Sequence, residues 1–235
     1  LPGYDLLLQG MSGLMSITGS DENNPAKVGV ALVDVITGLH AVVGILSALR
    51  ARDEQGIGQK VELNLLSSTL SALVNQASAY ISAGTIPKAM GNAHPSITPY
   101  EVYQTADRPV VIAVGNDGQF AKLCDALGIA EVSSDPRFLT NPDRVEHRVA
   151  LNELLNAEFS KLGADHWWQH LSDVGVPCGP INALDDAFKF AESLGLNPVI
   201  TMNQDGEMRK QVANPITFSK TPVRYAVAPP SLDEA

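Results

Sequence analysis

The sequence predicts an α/β fold. Three observations predict it: extended apolar patterning over Val28–Val33 and Lys60–Leu65, helical apolar spacing directly after each, and turn-forming residues between them. The resulting order of strand, helix, turn, strand and helix is the alternation of α/β folds.

The elements follow in chain order. GMSGLMSITG (Gly10 to Gly19) is punctuated by glycine, and Ser20 to Lys27 is a polar loop of turn formers. Val28–Val33 reads as strand-like or extended. At Asp34 the spacing turns helical, with Ile36, Leu39, Val43 and Leu46 on one face, up to Arg50 and Arg52. Asp53–Gln59 is a turn, Lys60–Leu65 a short strand, and Ser67–Ser82 a helix with Ser67 or Ser68 as its cap. Gly84–Pro99 is a long irregular segment rich in Gly, Pro and Asn, of the kind that carries function or joins domains, and a boundary falls there. Beyond it, Tyr100–Tyr103 and Val110–Val114 pair around the turn Thr105–Pro109, and Asp117–Leu127 is a helix closed by Gly128. Asp143–Leu162 is a helix ended by Gly163, and Ala164–Val174 is another before the break VGVPCGP (Val174 to Pro180). The tail from Asn197 is loop-rich and ends in Pro229, Pro230, Ser231, Leu232, Asp233 and Glu234 without a closing element.

With 235 residues and 45% apolar content, the chain is large enough for a sizeable core. The net charge of −10 argues against a nucleic-acid or anionic-membrane partner, both of which want clustered Lys and Arg. Cys124 and Cys178 lie far apart without metal or redox spacing, so free thiols in a reducing compartment are expected. The apolar run Val28–Leu49 has the length of a membrane span, yet it holds Asp34, Thr37, His40 and three glycines, and a buried core segment is expected instead. The chain begins at Leu1 inside what reads as a loop, which implies that it is the carboxyl-terminal part of a longer protein.

No P-loop, GxGxxG, GxSxG or HExxH pattern is present. His40, His94, His147, His166 and His170 lack a matching acidic or cysteine set, and no metal site is expected. Trp167 and Trp168 anchor a helix, with His166 and His170 solvated or stacked beside them. Two features carry chemistry. Asp34 is a carboxylate among Val, Leu and Ile, costly to desolvate unless it is hydrogen-bonded or functional; the residues alone allow a helix cap, a reactive group, or both. Gly91–Pro95 (GNAHP) is a loop of small residues that either turns the chain or offers backbone N–H groups to a developing oxyanion.

The order of motifs resembles the class III CoA-transferases. The matching stretches are PGYDLLLQGMSGLMSITG, VGVALVDVITGLHAVVGILSAL, GIGQKVELNLLSS, GNAHPSITPYEVYQTAD, FLTNPDRVEHR, GVPCGPIN and the closing APPSL, which together span essentially the whole chain. The resemblance implies a Rossmann-like large domain, incomplete here, with a smaller α+β domain, in an interlocked homodimer whose active sites lie between the two. On that frame residues 1–90 belong to the large domain and carry the nucleophile, 91–190 form the small domain beginning at the glycine loop, and 191–235 return to the large domain. Asp34 is similar to the family's aspartate nucleophile, which forms acyl-anhydride and CoA-thioester intermediates in turn. Gly91, Asn92, Ala93 and His94 resemble the glycine loop over the active site, although only Gly91 is glycine here. Tyr4 and Gln9 match active-site Tyr and Gln positions, and either can also serve to close a loop.

What the resemblance implies is transfer of coenzyme A between an acyl-CoA and a small carboxylic acid, such as the dicarboxylates succinate, glutarate or oxalate. The acyl-CoA is a substrate and no tightly bound cofactor is implied. Related acyl-CoA racemases carry His where Tyr4 stands in Gly3-Tyr4-Asp5, and a phenol is a poor proton shuttle at neutral pH, so transfer is favoured over racemisation. A non-catalytic module of the same fold would use Asp34 only as a cap. Family members place most contacts to the CoA nucleotide in an N-terminal region, so residues 1–235 alone are expected to bind CoA poorly. A cytoplasmic location is expected, or the mitochondrial matrix for a eukaryotic source.

Overall fold

The computed structural model describes residues 2–204 and 206–228. The expectations for the closing APPSL stretch and the tail beyond Ala228 lie outside the described residues. The chain divides into two compact units, the first ending at Gly179 and the second beginning at Pro180.

The first unit opens with α1 (Asp5–Met11) and a short 3-10 turn (Met15–Ile17), followed by a loop and the long helix α2 (Leu32–Gln55). Gly56 closes α2 in the left-handed conformation (φ 73°), its N–H donating to the Arg52 carbonyl. Residues 57–64 form neither helix nor strand and pass close to the helix at Gly44, where a Cβ would stand 3.0 Å from Val61 Cγ1. The segment is no strand, because a ladder needs a neighbouring strand and residues 2–99 supply none among the described residues. Val28–Val33 differs from its expected extended form for the same reason, and α2 begins at Leu32.

The single helix expected over Ser67–Ser82 is two, α3 (Leu65–Ala72) and α4 (Val74–Ala83). They break at Val74, a β-branched residue with φ 43°, a conformation that opposes helix continuation. The cap of α3 is Asn64, whose Oδ1 accepts the Ser67 N–H at 2.8 Å, rather than Ser67 or Ser68.

After the irregular stretch to Pro99 come β1 (Tyr100–Tyr103) and β2 (Val110–Ala113), antiparallel with Tyr103 opposite Val110. Then follow α5 (Asp117–Ala126), a 3-10 turn (Ala130–Ser134), α6 (Asn141–Glu146), α7 (Arg148–Phe159), α8 (Ala164–Asp173) and β3 (Cys178–Pro180). β3 joins the sheet beside β2, a strand that the Pro- and Gly-rich break concealed. The expected helix over 143–162 is interrupted at His147 (φ −102°, ψ 23°), and Thr140 and Asp143 form a reciprocal capping box that starts α6 two residues earlier.

The hydrophobic core lies within 103–176. Tyr103, Ile112, Phe120, Leu123, Leu151, Leu155, Phe159 and Leu171 are all essentially inaccessible to solvent. Trp167 anchors α8 there, its indole N–H donating to the Phe159 carbonyl at 2.9 Å, and His166 and His170 stack beside it. Arg144 is buried with them. Nε donates to Thr98 O at 2.8 Å, Nη1 to Phe138 O at 3.0 Å and Nη2 to Asp117 Oδ1 at 2.7 Å, while the guanidinium covers the Phe120 ring. Both cysteines are free. Burial pushes the Cys124 thiol up to about 12 and raises that of Cys178.

α2 is otherwise. It is long and apolar enough to cross a membrane by length and composition, and it was expected to be a buried core segment. Within α2 only Val33 is buried, because α1 and α3, the helices packed most closely against it among the described residues, cover little of it.

The second unit holds α9 (Leu184–Ser193) and a hairpin of β4 (Val199–Gln204) and β5 (Glu207–Val212), where a loop-rich tail was expected. Asp205-Gly206 between two extended runs is the local signal for that hairpin, and Gly206 has φ 91°.

Candidate active site

Helix α2 starts without a local cap. Ala31 occupies the N-cap position and has no side-chain acceptor, so the early N–H groups of the helix need other partners. One comes from far upstream: Asp5 Oδ1 accepts the Val33 N–H at 2.8 Å. The other Asp5 oxygen accepts from Gln9 Nε2 at 2.7 Å. Gln9, fully buried on α1, in turn clamps the approach to α2, with Oε1 accepting the Val28 N–H at 2.8 Å and Nε2 also reaching Val30 O at 3.4 Å. Thr37 Oγ1 donates to Val33 O at 2.8 Å, one turn back along the same helix.

Asp34 sits on that first turn. It is exposed, and among the described residues its carboxylate accepts no hydrogen bond. The helix-start position predicted for it is therefore found, but the capping role belongs to Asp5. At this end the aligned peptide dipoles favour negative charge.

The glycine loop is built from the opposite direction. Gly91 has φ 62°, in the left-handed region that favours glycine, and its N–H donates to Gly19 O at 3.0 Å. Ala93 N–H is taken by Met90 O and His94 N–H by Tyr100 O. Of the four amides from Gly91 to His94, only that of Asn92 remains without a partner among the described residues, and its side-chain amide is likewise unengaged. His94 is fixed on three sides. Its ring lies 5.2 Å from that of Tyr100, Nδ1 accepts the Ser96 N–H at 3.2 Å, and its carbonyl takes the Arg148 Nη2 at 2.7 Å. With Nδ1 accepting, the neutral ring carries its proton on Nε2. Arg148 also pairs with Glu101 at 3.3 Å, tying the loop to β1 and α7.

Residues 91–95, with Asn75, Gln76 and Tyr100, line an open cavity of about 310 Å³. Tyr4, 80% exposed at the start of α1, instead lines an apolar depression with Leu6, Leu7, Gly10, Met11 and Met15. Asp34 lines neither. The structure thus ties Gln9 and Asp5 to Val33, the residue before Asp34, groups Gly91, Asn92, Ala93 and His94 at one cavity, and leaves Tyr4 at a third place. Reading the sequence missed the roles of Asp5, Asn75, Gln76 and Arg148. Only Asp5 had a local signal, as a carboxylate in the Gly3-Tyr4-Asp5 tripeptide.

Comparison with known proteins places these features in a family. The chain is 41% identical over 234 residues to the succinate–glutarate CoA-transferase of Agrobacterium fabrum, covering 99% of this chain and 58% of that one. It is 37% identical over 233 residues to the succinyl-CoA:glutarate CoA-transferase of Mus musculus, covering 99% and 53%. The crystal structure of a CaiB/BaiF family protein from Brucella suis superposes with a TM-score of 0.81 at 40% identity, covering 99% of this chain and 60% of the other. The chain spans a little over half the length of the curated relatives it matches. The family model for CoA-transferase family III matches residues 1–235 from end to end, and the chain belongs to that family.

Proposed function

We propose that the protein to which this chain belongs transfers coenzyme A from an acyl-CoA to a free carboxylic acid, with Asp34 as the covalent nucleophile. One observation carries the reading. Asp34 stands at the start of α2 with its carboxylate exposed and uncommitted, while a different aspartate, Asp5, does the capping that a carboxylate at a helix start ordinarily does. An unemployed carboxylate on a fixed helix end is free to attack.

The steps balance without any further reactant. An Asp34 oxygen attacks the thioester carbonyl carbon, the C–S bond breaks, and CoA leaves as its thiolate, giving a mixed anhydride. The thiolate then attacks the aspartyl carbonyl and expels the donor acid as a carboxylate, leaving a CoA thioester on Asp34. The acceptor carboxylate attacks that thioester, releases the thiolate again, and forms a second anhydride. Attack of the thiolate on the acceptor's carbonyl yields the new acyl-CoA and restores Asp34. The overall exchange of one thioester for another is nearly balanced, while each anhydride lies above the thioesters that flank it, so the protein's task is positioning and stabilisation of the anhydrides and of the tetrahedral oxyanions that lead to them. Around the 91–95 cavity the donors without a partner among the described residues include the Asn92 amides and His94 Nε2, which suit an oxyanion or a carboxylate. The names of the relatives support a short dicarboxylic acid such as succinate or glutarate as a reactant.

The wider architecture we assign by the same resemblance is a Rossmann-like large domain including residues 1–90, a small domain over 91–190, and an interlocked homodimer, with the active sites between the domains. Tyr4, exposed at the mouth of α1, suits a contact to substrate rather than a proton shuttle. An acidic chain with two free cysteines fits the cytoplasm or a mitochondrial matrix.

The test uses the complete reading frame that contains residues 1–235. Incubated with succinyl-CoA and quenched, it is expected to carry a succinyl or CoA adduct on the peptide containing Asp34, and Asp34→Asn to lose turnover by about 10³-fold or more. No adduct and no exchange across a panel of dicarboxylic acids sinks the reading.

A further inference from the structure

We infer that Asp5 and Gln9 are the positioning residues of this reaction, acting as one unit that fixes where α2 begins and thereby where Asp34 stands. The inference rests on the nucleophile reading above and goes beyond it, since it gives a role to Asp5 and moves Gln9 from substrate contact to scaffold.

Four hydrogen bonds make the unit. Asp5 receives Val33 N–H on one oxygen and Gln9 Nε2 on the other, and Gln9 receives Val28 N–H and donates to Val30 O. They bind the chain at residues 28, 30 and 33, on both sides of the uncapped Ala31 and one residue before Asp34. Val33 and Gln9 are fully buried and Asp5 half-buried, so water does not replace these bonds without cost. No local residue competes for the job, because Gly29, Val30 and Ala31 have no polar side chain. Without the unit, the first turn of α2 is free to fray or shift its start, and Asp34 moves with it. A displacement of about 1 Å at a reacting group costs on the order of 100-fold in rate.

The bond polarities make a decisive experiment available. Asp5→Asn keeps an oxygen for the Val33 N–H but sets an NH2 against the NH2 of Gln9. Gln9→Glu keeps an oxygen for the Val28 N–H but sets a carboxylate against that of Asp5. Together the two substitutions reverse the Asp5–Gln9 bond and restore every link except the long one to Val30 O. In the complete reading frame, each single variant is expected to lose roughly 100-fold in kcat while KM for succinyl-CoA moves by no more than about 3-fold. The double variant is expected to recover to within about 10-fold of the parent. Thermal unfolding is followed alongside, and Gln9→Met, which keeps the buried volume, replaces any single variant that does not fold.

Recovery in the double variant supports the unit. Parental kcat in the single variants, or no recovery in a folded double variant, overturns it while an inactive Asp34→Asn leaves the nucleophile standing. Full turnover in Asp34→Asn overturns the nucleophile and this inference together.

Discussion

Residues 100–178 and residues 5–83 meet the same problem, a chain rich in apolar side chains, with opposite results. In the former, short helices close on a three-stranded sheet and bury Phe120, Leu123, Leu151, Leu155, Phe159 and Trp167 in one cluster. In the latter, α2 presents Leu39, Val42, Val43, Ile45, Leu46 and Leu49 to the surface, and the buried residues of α1 and α3 include Gln9, Ser68 and Thr69. One region is held by packing. The other is held by helix hydrogen bonds and by polar links such as Asp5 to Val33, with its apolar face turned outward. Within residues 1–235 the proposed nucleophile belongs to the second kind of region, where hydrogen bonds rather than buried side chains fix the start of α2.

The largest effect that sharpens this contrast is expected at Arg144. It is buried to 1% exposure and serves three backbone carbonyls and Asp117. Arg144→Ala removes those donors together and leaves the carbonyls of Thr98 and Phe138 buried and unpaired, which costs about 3–5 kcal/mol. Urea unfolding measures it. Arg144→Lys, with its compact ammonium in place of a planar fork, recovers only part of the loss.

A matched pair of leucines tests the comparison next. Leu155→Ala in the core is expected to cost about 2–5 kcal/mol, whereas Leu46→Ala on the exposed face of α2 stays within about 0.5 kcal/mol for this chain. Cys124 reports on the same core. Its buried thiol, pushed up to about 12, is expected to resist iodoacetamide at pH 8 in the parent and to react faster in Leu155→Ala as the core opens. Because the folded state raises this pKa above its ordinary value of 9.0, the neutral thiol's contribution to stability is complete below pH 9 and is lost as pH climbs towards 12. Equal costs for the two leucines would erase the distinction between the regions.

What the sequence made legible follows the same division. The β1–β2 hairpin, α5 with Gly128 behind it and the Trp167 anchor were readable because their determinants are local: alternation, a glycine stop, a helical stripe. Asp34 was readable because a carboxylate amid Val, Leu and Ile is locally anomalous. Its neighbour's role was not, since the bond from Val33 to Asp5 joins residues 28 apart in the chain. Arg144 sits in NPDRVEHR, which looks like a solvated charged helix, and its burial is decided by carbonyls of Thr98 and Phe138. The absent strands at 28–33 and 60–65 have the matching cause: a period of two marks an extended chain, but only a neighbouring strand makes it a ladder.

The smallest expected effect isolates the difference most cleanly, because it uses one chemistry in both regions. Asn116 caps α5 by accepting the Gln119 N–H at 2.9 Å, and Asn64 caps α3 by accepting the Ser67 N–H at 2.8 Å. The two bonds have the same donor type, acceptor type and spacing. What differs is what each helix buries: Phe120, Leu123 and Cys124 on α5, Ser68 and Thr69 on α3. Fraying the first turn of α5 pulls on the cooperative core, so Asn116→Ala is expected to lower global stability by about 1 kcal/mol. Fraying α3 opens only its own turn, so Asn64→Ala is expected to cost a few tenths of a kcal/mol on the same urea curve while speeding exchange of the Ser67 amide. If the two caps prove equal, residues 5–83 unfold as one body with the core and the exposed helices are coupled to it more tightly than their contacts imply. If Asn64→Ala is silent in urea and visible in exchange, the first turn of α3 opens separately from the core, as a helix that buries Ser68 and Thr69 rather than large apolar side chains is expected to do.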